Sequence, residues 1–141
     1  MRRQTRGADQ SWVVHETDCP IESRPAGLLS GVTWRTLISG DRSPTSGLTV
    51  GIAEIEPGES GPIRPHSHPQ AEAYYVLSGH GRVLIGEEFH ALRAGSAAFI
   101  PGDAAHTAVN TGSEVLRLLY VFPTDAFEDV EYSDRSTDSP R

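Results

Sequence analysis

The sequence predicts one all-β domain, a small barrel or jelly-roll sandwich, on three observations. Short runs rich in Val, Ile, Leu, Tyr and Phe recur along the chain, separated by Gly, Pro, Asn and Asp clusters about every 8–12 residues. No segment sustains the apolar period of a helix. The 141 residues can close one hydrophobic core but not two.

The runs place strands at 32–38, 48–55, 72–77, 82–85, 88–92, 96–100, 106–109 and 115–122. Between them stand turn signals, among them Ser78-Gly79-His80-Gly81, Gly86-Glu87, Pro101-Gly102-Asp103 and Asn110-Thr111-Gly112, where glycine or asparagine accepts a positive φ. One helical turn is expected near Thr124 to Glu128, capped by Asp125. Residues 1–11 read as an N-terminal tail, 12–132 as the domain and 133–141 as a C-terminal tail. Such a barrel fills with side chains or holds one small ligand.

Composition narrows the function. Twelve basic against nineteen acidic residues give a net charge of -7, which repels phosphate backbones and anionic lipid, so neither nucleic acid nor membrane is expected as a partner. Every basic residue is arginine, which excludes Schiff-base chemistry on lysine. Cys19 is the only cysteine, so no intrachain disulfide forms, and its acidic neighbours Asp18 and Glu22 do not activate the thiol. The stretch after Arg2, Arg3 and Arg6 has no apolar core of the kind a secretion signal carries, and no run approaches the length of a membrane helix, so a cytoplasmic location is expected.

The segment from Arg64 to Tyr75 carries the chemistry. His66 and His68 are two apart, so in an extended chain both rings project from one face, about 6.5 Å apart. Glu72 opens the next strand and adds a carboxylate, a set that suits a metal with open positions. His106 follows the turn Pro101-Gly102-Asp103 at the start of a later strand. His15, His80 and His90 read as solvent-facing or structural.

These two blocks resemble the paired motifs of the cupin superfamily. The first pattern, G-x5-H-x-H-x3/4-E-x6-G, is met by His66, His68, Glu72 and Gly79, with Gly61 one residue too close. The second, G-x5-P-x-G-x2-H-x3-N, is met by Gly95, Pro101, His106 and Asn110, with Asp103 where glycine is usual. The resemblance implies a cupin β-barrel in which His66, His68, Glu72 and His106 bind one divalent metal. Such a ligand set suits Fe(II), Mn(II), Ni(II), Zn(II) or Cu(II) and does not choose among them.

A narrower resemblance runs through Gly31-Val32-Thr33-Trp34, LTVGIAEIEPG from Leu48, HSHPQAEAYYV from His66 and VFPTDAFEDVEY from Val121. These segments are similar to the small cupin lyases that cleave dimethylsulfoniopropionate to dimethyl sulfide and acrylate. In that group a tyrosine two residues after the glutamate is the proposed base, and a tyrosine in the C-terminal V-E-Y segment belongs to the active site. Tyr74 and Tyr132 stand at those positions here.

The residues themselves leave the reaction open. Tyr74 shares a strand face with Glu72 and therefore faces the same site, as a base or as a pocket wall. Tyr132, with Phe122 and Phe127, reads either as an active-site group or as an apolar staple. Arg35, Arg64, Arg82 and Arg117 are each able to clamp an acid. The expectation is a lyase acting on a small carboxylate by proton abstraction and β-elimination, as a homodimer. A non-haem Fe(II) dioxygenase and a non-catalytic metal or small-molecule binding protein are the alternatives.

Overall fold

A computed structural model describes residues 12–23, 31–58 and 64–135. Among these described residues eleven strands lie in two antiparallel sheets: β1 Glu22–Ser23, β2 Val32–Ile38, β3 Thr49–Ile55, β4 His66–Ser67, β5 Glu72–Ser78, β6 His80–Ile85, β7 Glu88–Arg93, β8 Ala97–Ile100, β9 His106–Asn110, β10 Leu116–Phe122 and β11 Ser133–Asp134. One sheet runs β1-β2-β3-β10-β5-β8 and the other β11-β4-β9-β6-β7, the two leaves of a jelly-roll barrel.

Alternation builds the core. On β10, Leu116, Leu118, Tyr120 and Phe122 point inward, and on β5 Glu72, Tyr74 and Val76 do the same. Register aligns these rows, with Tyr74 opposite Tyr120 and Val76 opposite Leu118. Phe122 is completely buried, which stabilises the fold by about 1.5–3 kcal/mol. The outer face of β5 and β8 leaves Tyr75, Leu77 and Phe99 exposed. Among the described residues no helix is long and apolar enough to cross a membrane.

All eight expected strands are present, with ends shifted by at most two residues. The largest shift is at β6, which begins at His80 because Gly79 alone makes the turn. Its φ is 94°, and a Cβ there would sit 2.5 Å from the Val115 carbonyl. The chain thus passes from one sheet to the other in a single residue.

Three two-residue strands were not expected, and one of them, β11, falls where a C-terminal tail was read. Ser133 and Asp134 pair with Ser67 and His66, and the Arg135 amide donates to the Pro65 carbonyl at 2.9 Å. The N-terminal tail read over 1–11 lies outside the described residues, as do 136–141. The helical turn near 124–128 is a 3-10 turn at Phe127–Asp129, where the Asp129 carboxylate accepts from the Ala126 amide at 3.2 Å. Asp125, expected as its cap, instead accepts from the Gly47 amide at 2.6 Å and ties down a distant loop. A second such turn, Glu16–Asp18, precedes buried Cys19.

Candidate metal centre

The four residues singled out by spacing meet at one end of the barrel, from both sheets. His66 on β4 lies directly opposite His106 on β9. The chain then crosses at Pro69 and Gln70, so that Glu72 opens β5 in the other sheet. All four side chains are buried. The ring nitrogens of His66, His68 and His106 lie within 4.8 Å of one another. Ring centroids are 4.4 Å apart for His66 and His106 and 4.8 Å for His68 and His106.

Backbone carbonyls set the ring orientations. His68 Nδ1 lies 2.9 Å from the Gln70 carbonyl, and His106 Nδ1 lies 2.8 Å from the Ala104 carbonyl. A carbonyl only accepts, so both Nδ1 atoms donate and, in the neutral rings, both Nε2 atoms present bare lone pairs. Those lone pairs face Glu72 Oε1, at 3.1 Å from His68 and 3.4 Å from His106. Acceptor facing acceptor in a buried site is unfavourable unless a proton or a cation stands between them. His106 Nε2 and His66 Nδ1 have no hydrogen-bond partner. The donor set therefore fits one divalent metal. Burial, with His106 and then His68 beside it, holds His66 well below the ordinary imidazole range and keeps it neutral, the form that binds metals.

One of the bonds that tie the two motif blocks runs from the Asp103 amide to the His68 carbonyl at 2.7 Å. Asp103, which stands where the pattern has glycine, has φ 67° and so takes the left-handed conformation itself. Aspartate tolerates that conformation better than most side chains, so the turn survives the departure. Gly61, the other departure, lies outside the described residues.

Beside the cluster lies a cavity of about 80 Å³ bounded by His66, Glu72, Tyr74 and Tyr132, with Trp34, Ile55, Tyr120 and Phe127 farther along. Tyr74 is buried, and burial, then Glu72, then Tyr132 push its phenol well above the ordinary value of 10.0. Tyr132 packs its ring edge-on to His66 at 5.0 Å and to His68 at 5.2 Å. It touches the cluster and also staples the C-terminal segment over the barrel end, through Phe127 at 6.4 Å.

Among the described residues, no arginine borders the cavity. Arg35 donates to the Glu16 and Cys19 carbonyls at 3.0 and 2.7 Å, Arg117 is held by Glu54 and Glu16, and Arg82 lies 4.0 Å over the Phe89 ring. Arg64 is exposed, as are His15, His80 and His90. Phe122, read from the sequence only as an apolar staple, meets the His68 ring edge-on at 5.1 Å, and sequence reasoning did not single out the Gln70 and Ala104 carbonyls.

Residues 51–122, half of the chain, match the family described as the cupin domain, Cupin_2. The chain belongs to the cupin family. This cupin is 46% identical over 101 residues to dimethylsulfoniopropionate lyase DddW of Ruegeria pomeroyi, an alignment covering 72% of the chain and 64% of the lyase. The chain thus spans less than two thirds of that relative's length. An uncharacterised protein of Streptomyces coelicolor is 33% identical over 75 residues, 53% of this cupin and 69% of that protein. Among solved structures, the polyketide cyclase RemF of Streptomyces resistomycificus superposes with a TM-score of 0.73 at 25% identity, covering 89% of this chain and 86% of the other. Oxalate decarboxylase of Lactobacillus farciminis gives 0.70 at 25% identity, covering 90% of this chain and 36% of the enzyme.

Proposed function

We propose that this cupin is a metal-dependent lyase that cleaves dimethylsulfoniopropionate, or a similar small acid with a leaving group on the β carbon, by proton abstraction and β-elimination. The observation that carries this reading is the placing of Tyr74 and Tyr132 on the wall of the cavity that His66 and Glu72 also border. The similarity to the Ruegeria lyase supports the same substrate.

His66, His68, Glu72 and His106 would hold the metal, identified here only as a divalent ion such as Fe, Mn, Ni or Zn. When bound, it supplies positive charge that acidifies the C–H beside a substrate carboxylate and favours a phenolate nearby. Among the described residues, no arginine lines the cavity to compete for that carboxylate. Tyr74 Oη takes the proton from the carbon next to the carboxylate, the C–H electron pair becomes the new double bond, and the C–S bond breaks with its electrons leaving on dimethyl sulfide. Tyr132 closes the cavity over the histidines and restricts water.

The test follows acrylate formation from dimethylsulfoniopropionate with Mn(II), Fe(II), Ni(II) or Zn(II). Tyr74→Phe keeps ring and packing, so metal content persists while turnover falls by about 10²–10⁴-fold, as for a lost general base. Undiminished turnover in metal-loaded Tyr74→Phe rejects the mechanism. No acrylate with any metal rejects the substrate, and O₂ consumption with Fe(II) in its place identifies an oxygenase.

A further inference from the structure

Among the described residues, three buried polar groups away from the histidines stand without a close hydrogen-bond partner: Trp34 Nε1, Thr36 Oγ1 and Tyr120 Oη. Trp34 and Thr36 are two apart on β2 and share its inner face. Thr36 lies opposite Gly51 on β3, Gly51 opposite Tyr120 on β10, and Tyr120 opposite Tyr74 on β5. One register row therefore crosses four strands from Tyr74 to Thr36.

Gly51 makes the row continuous. A Cβ there would overlap the Tyr120 hydroxyl and ring, so the phenol lies across the bare backbone toward β2. There it reaches the wall between two spaces. Trp34 and Phe127 border both the metal cavity and a polar cleft of about 400 Å³, which Thr36, Ser39, Glu22, Asp41, Arg42 and Glu128 also line. Burial raises the Tyr120 phenol, the Thr36 hydroxyl beside it offsets part of that, and Glu22 and Arg42 in the cleft and Glu72 in the cavity act on it in turn. Buried hydroxyls and an indole N–H with no close protein partner, grouped between two cavities, are where ordered water is found.

We propose that water held by Tyr120 Oη, Thr36 Oγ1 and Trp34 Nε1 joins the metal cavity to the acidic cleft and carries the reaction's proton to solvent. Each hydroxyl accepts a proton on its oxygen and releases its own to the next water, so the row is unchanged after each passage. Tyr120 and Thr36 act here as relay residues, separate from the group that first takes the proton. The proton's origin rests on the elimination reading; the hydrated passage does not.

Two measurements test it. A high-resolution crystal structure is expected to show ordered waters within hydrogen-bond distance of all three atoms, and a dry wall overturns the passage whether or not the wild type forms acrylate. Thr36→Val and Tyr120→Phe keep shape and remove one hydroxyl each. Each is expected to lower kcat about tenfold, less than loss of the base itself, with KM unchanged. Small diffusible buffers such as imidazole should restore the rate of the variants and leave the wild type unaffected, a response that a packing defect does not give. Ordered waters together with wild-type kcat in both variants overturn the proton-carrying role. A wild type that forms no acrylate fails the lyase reading separately.

Discussion

Asn110 bonds the two sheets through its side chain, and replacing it by alanine tests the packing argument independently of catalysis. Its Nδ2 donates to the Ile55 carbonyl on β3 and to the Glu114 carbonyl, both at 2.8 Å, and its Oδ1 accepts from the Gly112 amide at 2.8 Å. The residue is 5% exposed, and water cannot replace the amide at Ile55 without opening the seam between β3 and β9. Three net contributions of about 1 kcal/mol each predict that Asn110→Ala destabilises by about 3 kcal/mol. For a domain of this size that lowers Tm by about 10 °C. Asn110→Asp keeps the acceptor for Gly112 but sets a carboxylate against two carbonyls, so it is expected to be worse than alanine. Thermal and urea unfolding of the metal-free proteins measure both. An Asn110→Ala protein within about 0.5 kcal/mol of wild type, or an aspartate variant as stable as wild type, refutes the reasoning.

Other outcomes follow from the same geometry. His68→Ala and His106→Ala should each strip most of the metal, read by elemental analysis, because each removes one donor from a shared set; full occupancy in both denies the shared site. Burial raises the Tyr120 phenol above its ordinary 10.0, so the folded state keeps a proton that the unfolded chain gives up. That contribution is complete below pH 10 and is lost as pH rises, by about 1.4 kcal/mol per unit until the raised value is reached. Alkaline unfolding should therefore be shallower in Tyr120→Phe, and identical slopes would contradict it. If Tyr75, Leu77 and Phe99 cover a homodimer contact, Phe99→Asp shifts the sedimenting species to monomer; a wild type that is already monomeric removes the premise.

The strands were legible because alternation marks a half-buried sheet over six or seven residues, as Glu72, Tyr74 and Val76 show against exposed Ala73 and Tyr75. Two-residue strands such as β4 and β11 carry no period to read, and the pairing of Ser133 with Ser67 exists only once the barrel has closed. The four clustered residues could be named because two motif blocks in the cupin order carry them together; the pair His66 and His68 with Glu72 would alone have read equally well as a surface cluster. Their supporting carbonyls at Gln70 and Ala104 could not, because every residue has a carbonyl. The arginines illustrate the same boundary. Four were open as acid clamps, and only tertiary contacts showed Arg35 and Arg117 engaged elsewhere. The row from Tyr74 to Thr36 needed strand register across four strands, which no local pattern encodes.

His66 and His106 belong to one leaf of the barrel and Glu72 to the other, with only a short crossing between. A bound ion would thus act as a clasp across the join rather than as a guest inside one wall. The ion would offset the opposition of lone pairs aimed at Glu72 at that rim, while Asn110 holds the leaves at another point. Affinity for metal would then measure how nearly shut the rim already is. Loss of metal would be felt first as loosening of the rim's amides, with the apolar rows around Phe122 left intact.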